Sequence, residues 1–268
     1  MGISTKRFGT SSRQVVGVHQ WAGENTPRQA RYLLCRPLGQ EAVRTAAVFR
    51  VLSDRLARDG SESLRFDFHG TGDSPGEEVD QSLEGWVDDA LAAHAELSES
   101  QETRVNWFGM GLGGTLALRA ALRAKSPPAN LVLWEPVLDG KTYAQELLDA
   151  HRAELAREFG EPWDRLIRTG KVVDPVLPGD VLGFHFGQRL ADELQQLHEV
   201  SVAPALRRGI RVTCAVHAEL RRHFSGLDGD PFFRLHTIES HTDWRSSQAM
   251  GTAIVPPDLL RIILSTLE

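Results

Sequence analysis

The stretch VNWFGMGLGGT at residues 105–115 constrains this chain more than any other. Apolar residues lead up to Gly109, glycines then fill four of six consecutive positions, and helical spacing takes over from Leu112. A strand that turns through glycine directly into a helix is the unit of a layered α/β architecture. Two chemistries demand such a turn. Gly109, Gly111 and Gly114 satisfy G-x-G-x-x-G, in which the backbone approaches a pyrophosphate at a helix N-terminus, and Glu135, about 20 residues on, would grip a ribose. Gly109 and Gly113 also frame G-x-S-x-G, a strained elbow that presents a nucleophile and lends the next N–H to an oxyanion hole. The nucleophile's place in that frame holds Gly111.

The order of elements around the turn separates the two. Residues 31–35 read as a buried strand and 42–58 as an amphipathic helix stopping at Gly60. Residues 63–68 read as a second strand, which breaks into the loop HGTGDSPG; 82–97 carry a helical apolar face. Strand 104–108, helix 112–124 and strand 131–134 follow. This alternation predicts βαβ units, a mostly parallel sheet and right-handed crossovers. A dinucleotide fingerprint ordinarily sits at the first strand of its unit, yet here strand–helix units precede it. Residues 141–202 are mostly helical in pattern, interrupted by Pro162, Pro175 and Pro178, and read as a helical cap inserted into a core of 1–140 and 203–268. Strand signals resume at 210–216 and 232–238, and Pro256-Pro257 opens a final helix at 258–267.

Composition narrows the class. Hydrophobic residues at 41% and charged residues at 25% exclude disordered and fibrous chains. A net charge of −6 and a pI near 5.9 argue against a nucleic-acid or anionic-membrane footprint. Cys35 and Cys214 lie in apolar runs and can frame neither a disulfide scaffold nor a four-ligand zinc site, which suits a reducing compartment. The first twenty residues hold no signal-peptide core, Lys6 breaks the myristoylation pattern, and no run approaches eighteen apolar residues. A soluble, cytoplasmic protein is expected. No H-E-x-x-H or similar spacing predicts a metal, and no cofactor is expected.

Three segments, LLCRPLGQE at 33–41, LRFDFHGTGDSPG at 64–76 and LVLWEPVLDG at 131–140, resemble α/β-hydrolase-fold proteins of the serine-aminopeptidase-like group. The resemblance runs from about Tyr32 to Glu268 and implies a mostly parallel sheet flanked by helices with an inserted helical cap. The group includes proteins found beside exosortase systems and peptide natural-product clusters, and some members lack serine at the elbow. It implies a serine, an acid and a histidine on three loops. The elbow here offers Met110, Gly111 and Leu112, none of which can attack; Gly111 either eases the turn or opens room for substrate. The acid should follow strand 210–216, where His217 ends the strand and Glu219 is the nearest carboxylate. The histidine should lie between the last strand and the last helix, where the loop containing His241 and Trp244 stands. Oxyanion donors are expected from the Leu112 N–H and the loop Leu38, Gly39, Gln40, with Glu135 facing substrate. His236 and His69 read as packing and turn residues.

An oxyanion frame without a nucleophile suits proton transfer beside a carbonyl, because it stabilises an enolate as readily as a tetrahedral intermediate. The expected role is therefore an epimerase or isomerase acting on a peptide natural-product intermediate, with His241, His217, Glu219 or a substrate carboxylate as base. Three alternatives remain open. One is a peptidase, esterase or thioesterase with an unusual nucleophile or a water activated by His241. Another is a non-catalytic protein binding a peptide or peptide-derived molecule, with Trp21, Trp134, Trp163, Trp244, Phe184 and Phe186 lining its pocket. The last is a dinucleotide-binding oxidoreductase.

Overall fold

The computed structural model describes residues 1–23, 30–98, 105–198, 200–238 and 257–265. It begins with a hairpin that hydrophobic patterning does not announce: β1 (Gly2–Thr10) and β2 (Arg13–Trp21) pair antiparallel over their whole length. Most β1 side chains are exposed or half-buried, so the strand lacks the apolar face on which sequence periodicity depends. The alternation then runs β3 (Arg31–Cys35), α1 (Gly39–Arg58), β4 (Glu62–Asp67), α2 (Leu83–Leu97), β5 (Val105–Met110), α3 (Gly111–Arg123) and β6 (Asn130–Trp134). After β6 come α4 (Gly140–Phe159), α5 (Trp163–Arg168), a small hairpin of β7 (Gly179–Val181) and β8 (Phe184–Phe186), and α6 (Gln188–Gln195). Then α7 (Ala203–Arg207), β9 (Arg211–Val216), β10 (Phe233–Thr237) and α8 (Pro257–Leu264) complete the described elements. The β7–β8 hairpin corrects the all-helical reading of 141–202, since strands of three residues are too short to leave a period-two signature.

Eight strands form one sheet in the order β1-β2-β4-β3-β5-β6-β9-β10, antiparallel through β2 and β4 and parallel from β4 onward. β3 and β5 are buried along their entire length, as parallel strands covered on both faces must be. Alternate residues serve opposite cores. On one face Leu33, Trp107, Leu131 and Leu133 meet Trp86, Val87 and Ala90 of α2 and Leu116, Ala117 and Ala120 of α3. On the other, Tyr32, Leu34, Phe108 and Val132 meet Val48, Phe49, Leu52 and Leu56 of α1 and Ile262 and Ile263 of α8. Each such fully buried Leu, Val or Phe contributes about 1.5–3 kcal/mol relative to exposure. The chain thus has the α/β-hydrolase fold, a mostly parallel sheet flanked by helices. No helix among the described residues is long and apolar enough to cross a membrane.

The loop after β4 is tied down by side chains of α2 and by its own His69. Asp89 of α2 accepts from Arg13 Nε at 2.7 Å and from the His69 N–H at 2.9 Å, and Trp86 Nε1 donates to the His69 carbonyl at 2.9 Å. His69 Nδ1 meets the Gln14 carbonyl at 3.0 Å, so the imidazole is held inside its turn.

Candidate active site

In an open parallel sheet, ligands bind outside the carboxyl ends of the strands. Here β3, β5, β6 and β9 end side by side, with Cys35 opposite Gly109, Met110 opposite Trp134, and Trp134 opposite Ala215. β5 passes into α3 at Gly111, whose φ of +55° is the left-handed turn of an elbow. The flanking glycines are sterically required. A β-carbon on Gly113 would come 2.0 Å from the Arg36 carbonyl oxygen, and one on Gly109 would come 2.5 Å from the Gly114 Cα. Gly113 lets the start of α3 close up against the loop after β3, and Gly109 lets β5 close up against α3, as a tight elbow requires. Leu112 lies in the first turn of α3, where N–H groups have no intrahelical acceptor and the helix dipole favours negative charge.

The loop after β6 is bound to this elbow. The Val137 N–H donates to the Gly111 carbonyl at 3.4 Å, and Thr115 Oγ1 donates to the Val137 carbonyl at 2.6 Å. Glu135 begins that loop with a φ of +46°, a conformation that non-glycine residues adopt at a cost of about 1–3 kcal/mol. Its N–H donates to the Ala215 carbonyl at 2.9 Å, extending the ladder to β9. Its carboxylate pairs with Nδ1 of His217, the first residue after β9. Both side chains are about a quarter exposed, at 25% and 22%. A carboxylate on Nδ1 fixes one tautomer and orients the ring, which is the arrangement of a base and its orienter.

A third charged group lies on the other side of the elbow. Glu41, buried in the first turn of α1, places Oε2 3.0 Å from where a β-carbon on Gly111 would stand, and Pro37 Cβ is 3.4 Å from the same point. The space beside the elbow apex is thus lined by a carboxylate and a proline. Leu38 caps α1 and Gly39 opens it at a φ of +55°, so the loop Leu38–Gly39–Gln40 faces the start of a helix. Arg36 closes the loop's base, pairing with Asp67 and donating from Nη2 to the Ala42 carbonyl at 2.9 Å.

The structure therefore brings Met110, Gly111, Leu112, Glu135 and His217 to adjoining strand ends, whereas Leu38, Gly39 and Gln40 lie at the start of α1. Glu219 lies exposed in the 3-10 helix Ala218–Leu227. His241 and Trp244 fall outside the described residues. His236 is half-buried in β10, and burial, with Arg234 and Arg261 nearby, lowers its imidazole from the ordinary range. Of the aromatics expected to line a pocket, Trp134 is core and Trp21 stacks on His19 in β2; Phe184 and Phe186 do line a cavity. Sequence reasoning missed Glu41 and the pairing of Glu135 with His217. The available signal was positional: each member of the pair is the first residue past one of two strands that the expected order makes neighbours. Neither thiol is a candidate nucleophile, because burial pushes Cys35 and Cys214 far up from the usual thiol range. Among the described residues no cluster of histidine, cysteine and carboxylate is disposed to hold a metal.

The sequence matches the family described as "Serine aminopeptidase, S33" over residues 41–176, just over half of the chain. The chain belongs to that family. Solved structures of similar fold include a putative hydrolase from Agrobacterium vitis S4, 17% identical with a TM-score of 0.60 over 100% of both chains. Proline iminopeptidase from Mycobacterium smegmatis is 16% identical at a TM-score of 0.60, covering 98% of this chain and 97% of its own. The bottromycin epimerase BotH, solved in complex with bottromycin A2, is 14% identical at a TM-score of 0.59, covering 99% of this chain and 100% of its own. At these identities the likeness concerns the fold. No curated protein matches the sequence.

Proposed function

We propose that this chain is an enzyme that moves a proton at the carbon beside a carbonyl of a peptide-derived substrate, epimerising that carbon without cleaving the chain. The observation that carries the reading is the Glu135–His217 pair set beside an elbow whose apex, Gly111, has no side chain. An imidazole held by a carboxylate is a general base at neutral pH, and the usual target of such a base in this fold, an elbow hydroxyl, is missing. The target of the base is then assigned to the substrate. In this mechanism the carbonyl oxygen accepts from the Leu112 N–H, and His217 removes the α-proton. The enolate charge is held at the helix N-terminus, a water molecule delivers a proton to the opposite face, and the hydroxide left behind takes up the proton carried by the imidazolium. Glu135 holds the imidazolium between the two transfers. Glu41 keeps a carboxylate beside Gly111, where an acyl group would otherwise attach. The segment 141–202 acts as the cap over this cleft. BotH gives the fold a precedent as an epimerase of a peptide natural product.

The test is incubation of the full chain with peptide libraries in heavy water, read by mass. The expected result is a deuterium-sized mass gain and an altered stereocentre with the peptide intact, lost in His217→Ala. Cleavage of the peptide, or labelling of any side chain by a fluorophosphonate, would overturn it in favour of acyl transfer.

A further inference from the structure

A cavity of about 280 Å³ opens beside the elbow, between the loop after β3, the loop after β4 and the strip of chain from β8 into α6. None of Gly111, Glu135 or His217 lines it. It adjoins Gly111 through Pro37, which is both part of its wall and 3.4 Å from a β-carbon on Gly111. Its size decides what it holds. Sites for whole drug-sized ligands run from roughly 300 to 1,000 Å³. A cavity just under that range suits one large side chain, with the rest of a peptide lying over the elbow outside.

The walls set the chemistry. Phe66, Phe68 and Trp86 form the inner side as a chain of contacting rings, with centroids 5.0 Å apart for Phe66–Phe68 and 5.7 Å for Phe68–Trp86. Leu38, Phe184 and Phe186 form the outer side, the Phe184 ring passing 3.6 Å from where a β-carbon on Gly39 would be. The charged groups in the wall cancel internally or sit at the rim: Arg36 is paired with Asp67, and Glu78 and His185 are exposed, the latter on Asp180 at 2.8 Å. An anionic side chain entering would lose water and find Arg36 already compensated by Asp67. The one wall carboxylate without a cation among the described residues, Glu78, stays in solvent at the rim. We propose that this cavity is a specificity pocket for one neutral, phenylalanine-sized apolar side chain of the peptide, seated next to the carbonyl that lies over Gly111. The proposal rests on the proton-transfer reading for the placement of that carbonyl, but its binding test does not.

The experiment uses the full chain and three probes, N-acetyl-Gly-X-Gly amides with X as Phe, Ala or Asp, titrated calorimetrically. The phenylalanine probe should bind about ten- to a hundredfold tighter than the alanine probe, the gain expected from burying one aromatic side chain, and the aspartate probe no better than alanine. Ala42→Phe, which fills the cavity from α1, should bring the phenylalanine probe down to the alanine level. Phe184→Ala, which widens it from a half-buried position, should shift preference toward X as Trp; circular dichroism checks that both variants fold. Equal affinity for all probes, preference for aspartate, no saturable binding, or an Ala42→Phe variant that keeps its preference overturns the pocket. The phenylalanine preference without deuterium exchange in any bound peptide overturns the proton-transfer reading alone.

Discussion

Among the described residues, two glutamate–histidine pairs lie at opposite ends of one sheet, built from the same groups in different surroundings. His19 Nε2 meets Glu62 Oε2 at 3.1 Å near the amino end of the parallel strands; His217 Nδ1 meets Glu135 near their carboxyl end. At the first, Glu62 is 3% exposed and also pairs with Arg31, itself 2% exposed, whose Nη1 donates to the Leu97 carbonyl at 2.7 Å. A buried carboxylate paired with a buried guanidinium is a structural ion pair, costly to break by removing one partner. At the second, a quarter-exposed carboxylate rests on an imidazole, on backbone at a φ of +46°. That pair is open to solvent, lies on the strand next to the elbow and carries a stored conformational cost, and it is there that the proposed chemistry puts its base. Residue types alone do not separate these roles; burial and the presence of a guanidinium do.

The comparison can be broken most decisively at His217. His217→Ala should reduce isotope exchange about a hundred- to ten-thousandfold, the range for a lost general base, while shifting the urea midpoint little. A variant that keeps exchange would make the exposed pair structural too. At the buried pair the expectation is reversed. Glu62→Ala removes a buried carboxylate from Arg31 and should cost about 3–5 kcal/mol in chemical denaturation, with exchange per folded molecule retained. If Glu62→Ala instead abolished exchange at unchanged stability, the assignment of roles would be inverted.

How much of this was legible beforehand follows the length scale of each interaction. The parallel core was readable because strands such as Leu33–Leu34 and Leu131–Leu133 are continuously apolar and helices such as α1 carry a full stripe. The β1–β2 hairpin was not, since its outer strand buries little, nor was β7–β8, which is too short for periodicity. At the site, Gly111, Leu112, Glu135 and His217 each followed from position relative to a strand end. Their relations did not. The pairing of Glu135 with His217 depends on β6 and β9 being neighbours across 82 residues of sequence, and Glu41 meets Gly111 only because α1 begins where β5 ends. Non-local contacts of this kind leave no spacing for a sequence pattern to record.

The two elbow glycines sharpen the contrast between packing and chemistry on a smaller scale. Gly113→Ala drives a β-carbon to within 2.0 Å of the Arg36 carbonyl, so backbone must move, and it should cost about 1–3 kcal/mol as overpacking does. Gly111→Ser meets the Glu41 carboxylate at 3.0 Å and accepts a φ of +55°, at a cost of about 1–2 kcal/mol. Its serine stands against a carboxylate, so the variant should lose exchange and gain no esterase activity. Measured hydrolysis of a nitrophenyl ester, accompanied by a fluorophosphonate adduct on the new serine, would show instead that the surrounding machinery is that of a hydrolase.

The smallest effect concerns a histidine from the buried half of the comparison. His94 on α2 accepts the Trp107 Nε1–H on Nδ1 at 3.2 Å and contacts the Ser126 carbonyl through Nε2 at 2.9 Å, which requires the neutral ring with its proton on Nε2. Burial, partly opposed by the Ser126 hydrogen bond, lowers its pKa from the ordinary imidazole value. The unfolded chain therefore takes up this proton before the folded one does, and stability must fall as pH drops through about 6.5 until the folded state protonates as well. Above that range His94 makes no pH-dependent contribution. Urea midpoints at neutral and mildly acidic pH should differ less in His94→Gln than in the parent, by a fraction of the parent's slope, because His151 and His236 are lowered too and keep their share. The same substitution should leave the pH profile of exchange unmoved, while Glu135→Gln should displace it, since only the second changes the group on which the reacting imidazole rests. An identical shift of the exchange profile in both variants would erase the distinction between a histidine held for packing and one held for chemistry.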